Sequence, residues 1–164
     1  MAITSSTDPT TCSGTDGSIV LATTDLSDGS YTVAYAGGTL PMVVSSNQGT
    51  ISNLPAGDYN AITITELGCT SVEVINITLT DPVTPLAPIA SVTVQPTCAI
   101  PTGTITVSGV VTGSSYTITG SITLTNTTGV FTGLTSGLYN IFETSASGCE
   151  SPLSTNLTVD PVPS

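Results

Sequence analysis

One seven-residue phrase occurs twice in this chain: Leu54-Pro55-Ala56-Gly57-Asp58-Tyr59-Asn60 returns as Leu134-Thr135-Ser136-Gly137-Leu138-Tyr139-Asn140. The text around it repeats as well. Pro9-Thr10-Thr11-Cys12 and Asp16-Gly17-Ser18-Ile19 correspond to Pro96-Thr97-Cys98 and Thr102-Gly103-Thr104-Ile105, with Gly five residues after Cys in both. Ser30-Tyr31-Thr32-Val33 corresponds to Ser115-Tyr116-Thr117-Ile118, and Gly68-Cys69 to Gly148-Cys149. Both copies close on Asp-Pro-Val, at Asp81 and Asp160. A self-similar text of this length means one supersecondary unit used twice. The expected organisation is a first module over residues 1–82, a stiff Pro-rich linker over 83–90 and a second module over 91–164.

Within each copy, short runs sit between turn signals. Strands are expected at 18–22, 30–35, 39–44, 49–52, 59–65 and 72–79, then at 104–108, 115–119, 122–125, 129–132, 138–144 and 153–159. With 33 Thr, 21 Ser, 16 Gly and 11 Pro, the chain favours pleated, half-buried surfaces broken by turns. No stretch has helical periodicity. The reading is all-β, with each copy a sandwich of six or seven strands.

The repeated phrase itself reads as a tyrosine corner, Leu-x-x-Gly-x-Tyr ahead of a strand. Leu54 and Leu134 should plug the core, Gly57 and Gly137 should have positive φ, and Tyr59 and Tyr139 should pin the turn. The motif is read as architecture rather than as a ligand contact.

Charge narrows function. The chain has no Lys, Arg or His and 11 carboxylates, for a net charge of −11. It cannot neutralise phosphates, so nucleic acid is not expected as a partner, and anionic membrane surfaces are disfavoured. No segment has the roughly 18 consecutive apolar residues of a membrane-spanning helix, so no membrane insertion is expected. The first residues, Met1 to Asp8, do not resemble a signal peptide. They are instead a candidate strand for adding to a neighbouring copy's sheet edge. Trypsin-like proteases find no cleavage site, which fits protease resistance or a Thr/Ser-rich surface protein equally.

Four cysteines lie two per copy. Pairing Cys12 with Cys69 and Cys98 with Cys149 would close loops of about 50 to 57 residues, worth roughly 2–4 kcal/mol each. Buried free thiols in a reducing compartment are the alternative. The carboxylates Asp16, Asp25, Asp28, Asp58, Glu66, Glu73, Asp81, Glu143, Glu150 and Asp160 are scattered. Asp25 and Asp28 form the one local cluster, a calcium candidate that reads equally as a turn; no other cofactor is indicated. Sequons at Asn76, Asn126 and Asn156 are expected by chance in so Thr-rich a chain. Without His or Lys, a catalytic triad or Schiff-base lysine is excluded, and an enzyme is not expected.

The order Pro-Thr-Cys, Gly-(Ser/Thr)-Ile, Ser-Tyr-Thr-(Val/Ile), Gly-x-Tyr, Gly-Cys and Asp-Pro resembles the SprB-type repeat modules of Bacteroidetes gliding-motility adhesins and related surface proteins. The match is closest at residues 96–105, 133–139 and 148–149. The resemblance implies tandem Ig-like β-sandwiches in an extracellular, cell-surface stalk or filament. The duty implied is adhesive or structural, with copies of itself, a larger surface assembly or glycans as partners. Similar modules also occur in phage surface proteins. A decoration or head-fibre protein on a virion capsid is therefore the alternative.

Overall fold

Every regular element among the described residues is a β-strand, as the density of β-branched residues dictates. The computed structural model describes residues 1–72 and 76–163. The chain divides into two compact units, Met1–Pro82 and Val83–Ser164.

Unit 1 comprises β1 (Ala2–Thr7), β2 (Gly17–Ala22), β3 (Gly29–Tyr35), β4 (Gly38–Ser45), β5 (Gln48–Leu54), β6 (Gly57–Tyr59), β7 (Thr63–Glu66), β8 (Cys69–Thr70) and β9 (Ile77–Leu79). Seven of these form one sheet in the order β1-β2-β5-β4-β3-β7-β8, and β6 pairs with β9. The sheet folds over a core of Ile19, Leu21, Val33, Met42, Val44, Ile51, Leu54, Ile62 and Leu79. Along β2, side chains alternate inward and outward from Ile19 to Leu21, the period of two that one buried face requires.

Unit 2 comprises β10 (Ala90–Val94), β11 (Gly103–Val107), β12 (Ser115–Thr119), β13 (Leu124–Asn126), β14 (Val130–Leu134), β15 (Gly137–Thr144) and β16 (Leu157–Val159). It has two separate sheets, β10-β11-β14 and β13-β12-β15-β16. Tyr116, Tyr139, Phe131, Ile105, Ile118 and Ile141 are buried between them.

The registers give each unit two poles. In unit 1, Gly17 pairs with Leu54 and Gly57 with Leu79, so these residues share the foot, where the chain leaves. Ala2 opposite Ala22, Gly29 opposite Val44 and Glu66 opposite Cys69 lie at the head, where it enters. In unit 2, Gly103 opposite Leu134 and Gly137 opposite Val159 mark the foot. Ala90 opposite Val107 and Ser115 opposite Thr144 mark the head.

Several sequence expectations change. Residues 2–7 form a strand that pairs with β2 of its own unit, so this segment is already used at home. Residues 83–89 belong to unit 2 instead of standing apart as a linker. The strand expected at 59–65 is broken between β6 and β7, where Ala61 takes φ +55° and the Asn60 carbonyl accepts the Ala36 N–H. Of the strand expected at 72–79, residues 77–79 are extended and 73–75, including Glu73, lie outside the described residues. Residues 153–156 are irregular, held by Ser154 N–H donating to Ile141 O.

Candidate functional site

The repeated phrase builds the same corner twice. The Tyr59 hydroxyl donates to Pro55 O at 2.8 Å, and the Tyr139 hydroxyl donates to Thr135 O at 2.9 Å. Leu54 and Leu134 are buried beneath. Gly57 and Gly137 take positive φ as expected, at +157° and +158°. The left-handed residues are Asn53 (φ +60°) and Gly133 (φ +71°), one step ahead of the leucines, where both strand pairs slip register. Asn and Gly are the residue types that tolerate this conformation. The Gly that follows each Cys also has a packing cause: a Cβ on Gly17 would lie 2.7 Å from Leu54 O, and one on Gly103 would lie 2.7 Å from Val159 Cγ1.

The cysteines are arranged differently from the pairs expected within each module. Cys69 and Cys98 are free and exposed, while Cys12 and Cys149 are disulfide-bonded. The physical reason is register. Cys12 lies in the β1–β2 connection at the foot of unit 1, and Cys69 opens β8 at its head. Cys98 lies in the β10–β11 connection at the foot of unit 2, while Cys149 follows β15 at its head. The six residues of β2 run from one pole to the other, and a strand of that length spans roughly 20 Å. A disulfide needs Cα atoms within about 7 Å, so neither expected intramodule pair can close. At each foot the cysteine sulfur approaches the carbonyl of a closing proline, Cys12 to Pro82 O at 3.7 Å and Cys98 to Pro163 O at 3.4 Å. Lacking a thiol hydrogen, Cys12 makes only a contact there.

The head of unit 2 carries a concavity of about 640 Å³, walled by Pro85, Leu86, Pro88 and Val111 and floored by Ser114 and Glu143. Glu143 continues the inward phase of Tyr139 and Ile141 along β15 and is buried with them. Its carboxylate accepts from Ser114 Oγ at 2.6 Å, and its backbone N–H donates to Ser151 Oγ at 2.9 Å. Scanning inward phases for polar residues would have found it. Glu143 is the one ionisable residue of the lining, so the groove offers no pair of carboxylates to share acid and base duty.

Several other carboxylates stitch loops. At the foot of unit 1, Asp8 accepts from Thr80 N–H and hydroxyl, Asp81 from Ser13 N–H, and Asp16 from Thr10 N–H and hydroxyl. The Thr10 hydrogen bonds hold the Asp16 carboxyl below its ordinary value. At the foot of unit 2, Gln95 takes the place of Asp8, accepting from Asp160 N–H and donating to Thr158 O. Of the calcium candidates, Asp28 accepts the Ser46 N–H at 2.9 Å and so caps the β4–β5 turn, and Asp25 borders a shallow depression beside Leu26. Among the described residues, no group of three or more acid, histidine or cysteine side chains is placed to hold a metal ion.

Two antiparallel layers closed by tyrosine corners make the fold an all-β, Ig-like sandwich. No protein-family model and no curated protein matches the chain. Solved structures similar to it include the FN1–FN3 domains of chicken CNTN1, at 13% identity and a TM-score of 0.38, covering 91% of this chain and 63% of that one. The human OSCAR ligand-binding domain is similar at 14% identity and a TM-score of 0.37, covering 98% of each chain. The fibronectin(III)-like modules of Clostridium thermocellum CbhA are similar at 11% identity and a TM-score of 0.35, covering 96% of this chain and 93% of that one. Likeness at this level assigns no ligand or activity.

Proposed function

We propose that this chain is a non-catalytic structural and adhesive protein that works outside the cell, its Ig-like units forming part of a cell-surface stalk or filament of the SprB type. The observation that carries the reading is the disulfide-bonded state of Cys12 and Cys149 in a β-sandwich chain. Structural disulfides persist in oxidising surroundings and are rare where thiols are kept reduced. Other features agree with it. Asp8, Asp16 and Asp81 serve as loop stitches, and Glu143 as part of a packed wall. A net charge of −11 without any cationic side chain suits a solvated exterior and repels nucleic acid. The proposed partners are further copies of the chain or a larger surface assembly.

Antibody labelling of intact, unpermeabilised producing cells tests the proposal. Label on the outer surface is the expected result. Label that appears only after permeabilisation overturns it, and label confined to purified virions replaces it with the capsid-decoration reading.

A further inference from the structure

The four cysteines fall into two types, and the structure treats one member of each type differently. Cys12 and Cys98 are foot cysteines, at matching places in the β1–β2 and β10–β11 connections, each beside the carbonyl of a closing proline. Cys69 and Cys149 are head cysteines, each directly after the Gly of a Gly-Cys turn with that Gly at positive φ. One foot cysteine and one head cysteine are disulfide-bonded, and one of each is free and exposed. The free thiols are thus one of each type.

The surroundings of the free thiols point the same way. Cys69 is flanked by Leu67, which is 99% exposed, and by Val72, which is 83% exposed. Cys98 is followed by Ile100, which is 60% exposed. Over the same span, from two residues before to three after, the bonded cysteines lie among Thr10 to Thr15 and Ser147 to Pro152, with no Leu, Ile or Val. Large apolar side chains at the two free sites gain by leaving water, and those beside the bonded sulfurs have no such demand.

We propose that Cys98 of one copy and Cys69 of a second copy form an intermolecular disulfide, joining the foot of unit 2 to the head of the next copy's unit 1 and producing a covalent head-to-foot string. Each copy offers one thiol of either type, so the link is heterologous and can be repeated from copy to copy. The oxidant is a small-molecule disulfide. The Cys98 thiolate attacks it, forming a mixed disulfide and releasing one small thiolate. The Cys69 thiolate of the second copy then attacks the Cys98 sulfur, forming the protein–protein S–S bond and releasing the second small thiolate. Two protein thiols lose two protons and two electrons, and the small disulfide is reduced to two thiols.

The inference deepens the assembly reading above, and relies on it only for oxidising surroundings. The test is performed on the purified full chain with oxidised glutathione. Expected is a ladder of multiples on a non-reducing gel that collapses to monomer on reduction, with a Cys69–Cys98 cross-linked peptide after chymotryptic digestion. Cys98→Ser and Cys69→Ser should each abolish the ladder and stay monomeric, because neither keeps both thiols of the link. An equal mixture of the two variants should give the heterodimer well beyond the one half that indiscriminate pairing yields. A wild-type chain that stays monomeric, ladders from either single variant, or homodimers dominating the mixture overturn the proposal. Surface labelling with no ladder removes the link and leaves the extracellular reading standing.

Discussion

The two units share a text and close their sheets differently, and the difference comes from one turn. In unit 1, β4 and β5 are joined by Ser46 and Asn47, both left-handed at φ +52° and +63°. Two left-handed residues in a two-residue connection give the tight hairpin that suits strand twist. The eight-residue β4 therefore pairs with β3 on one side and β5 on the other, welding both layers into one seven-stranded sheet. In unit 2 the same link is longer. Asn126 accepts from Thr128 N–H and Gly129 N–H while its amide donates to Val130 O, and this knot ends β13 after three residues. The layers stay separate. A loop of two residues against a side-chain-tied loop decides whether a sandwich is open or joined, with the corner and core plan left alone.

The units also differ at one inward position. Ile64 N–H donates to Ser71 Oγ as Glu143 N–H does to Ser151 Oγ, so relative to that serine Glu143 stands where unit 1 has Ile64. Its partner Ser114 lies immediately ahead of β12. The largest expected effect follows from separating this pair. Ser114→Ala leaves a buried carboxylate without its hydroxyl and should destabilise unit 2 by about 2 to 3 kcal/mol. Glu143→Ile with Ser114→Ala, which removes both polar partners together, should recover the loss. Calorimetry with hydrogen exchange resolved by unit reads both, and equal stability of Ser114→Ala and wild type would break the contrast.

The corners come next. Tyr139→Phe should cost about 1 to 2 kcal/mol in unit 2. Tyr59→Phe should cost less in unit 1, because Tyr139 is fully buried and its oxygen also lies 3.3 Å from Thr135 Oγ1, whereas Pro55 has no hydroxyl to offer. Equal losses in urea melts would reject the ranking. A gain is expected at Thr23, whose buried hydroxyl has no hydrogen-bond partner. Thr23→Val removes that unmet demand and should stabilise unit 1 by about 1 kcal/mol.

The smallest effect is acid sensitivity. Folded Asp16 binds its proton more weakly than the unfolded residue, whose value is near 3.8. Its contribution is thus present above that pH and fades as the pH falls through the lower folded value. Unit 2 has Thr102 at the matching position. Hydrogen exchange between pH 5 and 2 should show the loop around Thr10 loosening in wild type. Asp16→Asn should flatten that response without altering residues 96–102. Tyr59 acts in the opposite sense: burial and the neighbouring Tyr35 raise its phenol above 10.0, so unit 1 loses this contribution as the pH climbs past that raised value.

These contrasts also mark what was legible in the sequence. The corners were, because Tyr59 and Tyr139 reach only four residues back, and the pattern that encodes such a contact is contiguous. The cysteine arrangement was not. Matching positions in two copies say that Cys12 is like Cys98, yet whether either can reach a hairpin depends on which pole each connection occupies, a property of strand order over dozens of residues. The first strands were misjudged for another reason, β1 being read as a strand for a neighbouring copy and β10 not being read as a strand at all. β1 and β10 lie at sheet edges with mostly exposed side chains, so Ala2–Thr7 and Ala90–Val94 show little of the inward alternation that announces a strand. Glu143 was readable in phase with Tyr139 and Ile141, but its hydroxyl partner on another strand was not.

Gln95 gives the last strand of unit 2 a mechanical meaning. β10 and β16 both run from head to foot, and the Gln95 side chain, just past the end of β10, bonds Thr158 O and Asp160 N–H. Tension pulling the head of this unit away from its foot would slide those two strands past each other, loading the amide's two bonds in shear rather than peeling them one at a time. Gln95→Ala should lower the force at which unit 2 yields in single-molecule stretching, while the Asp8 clamp keeps unit 1 at its original force.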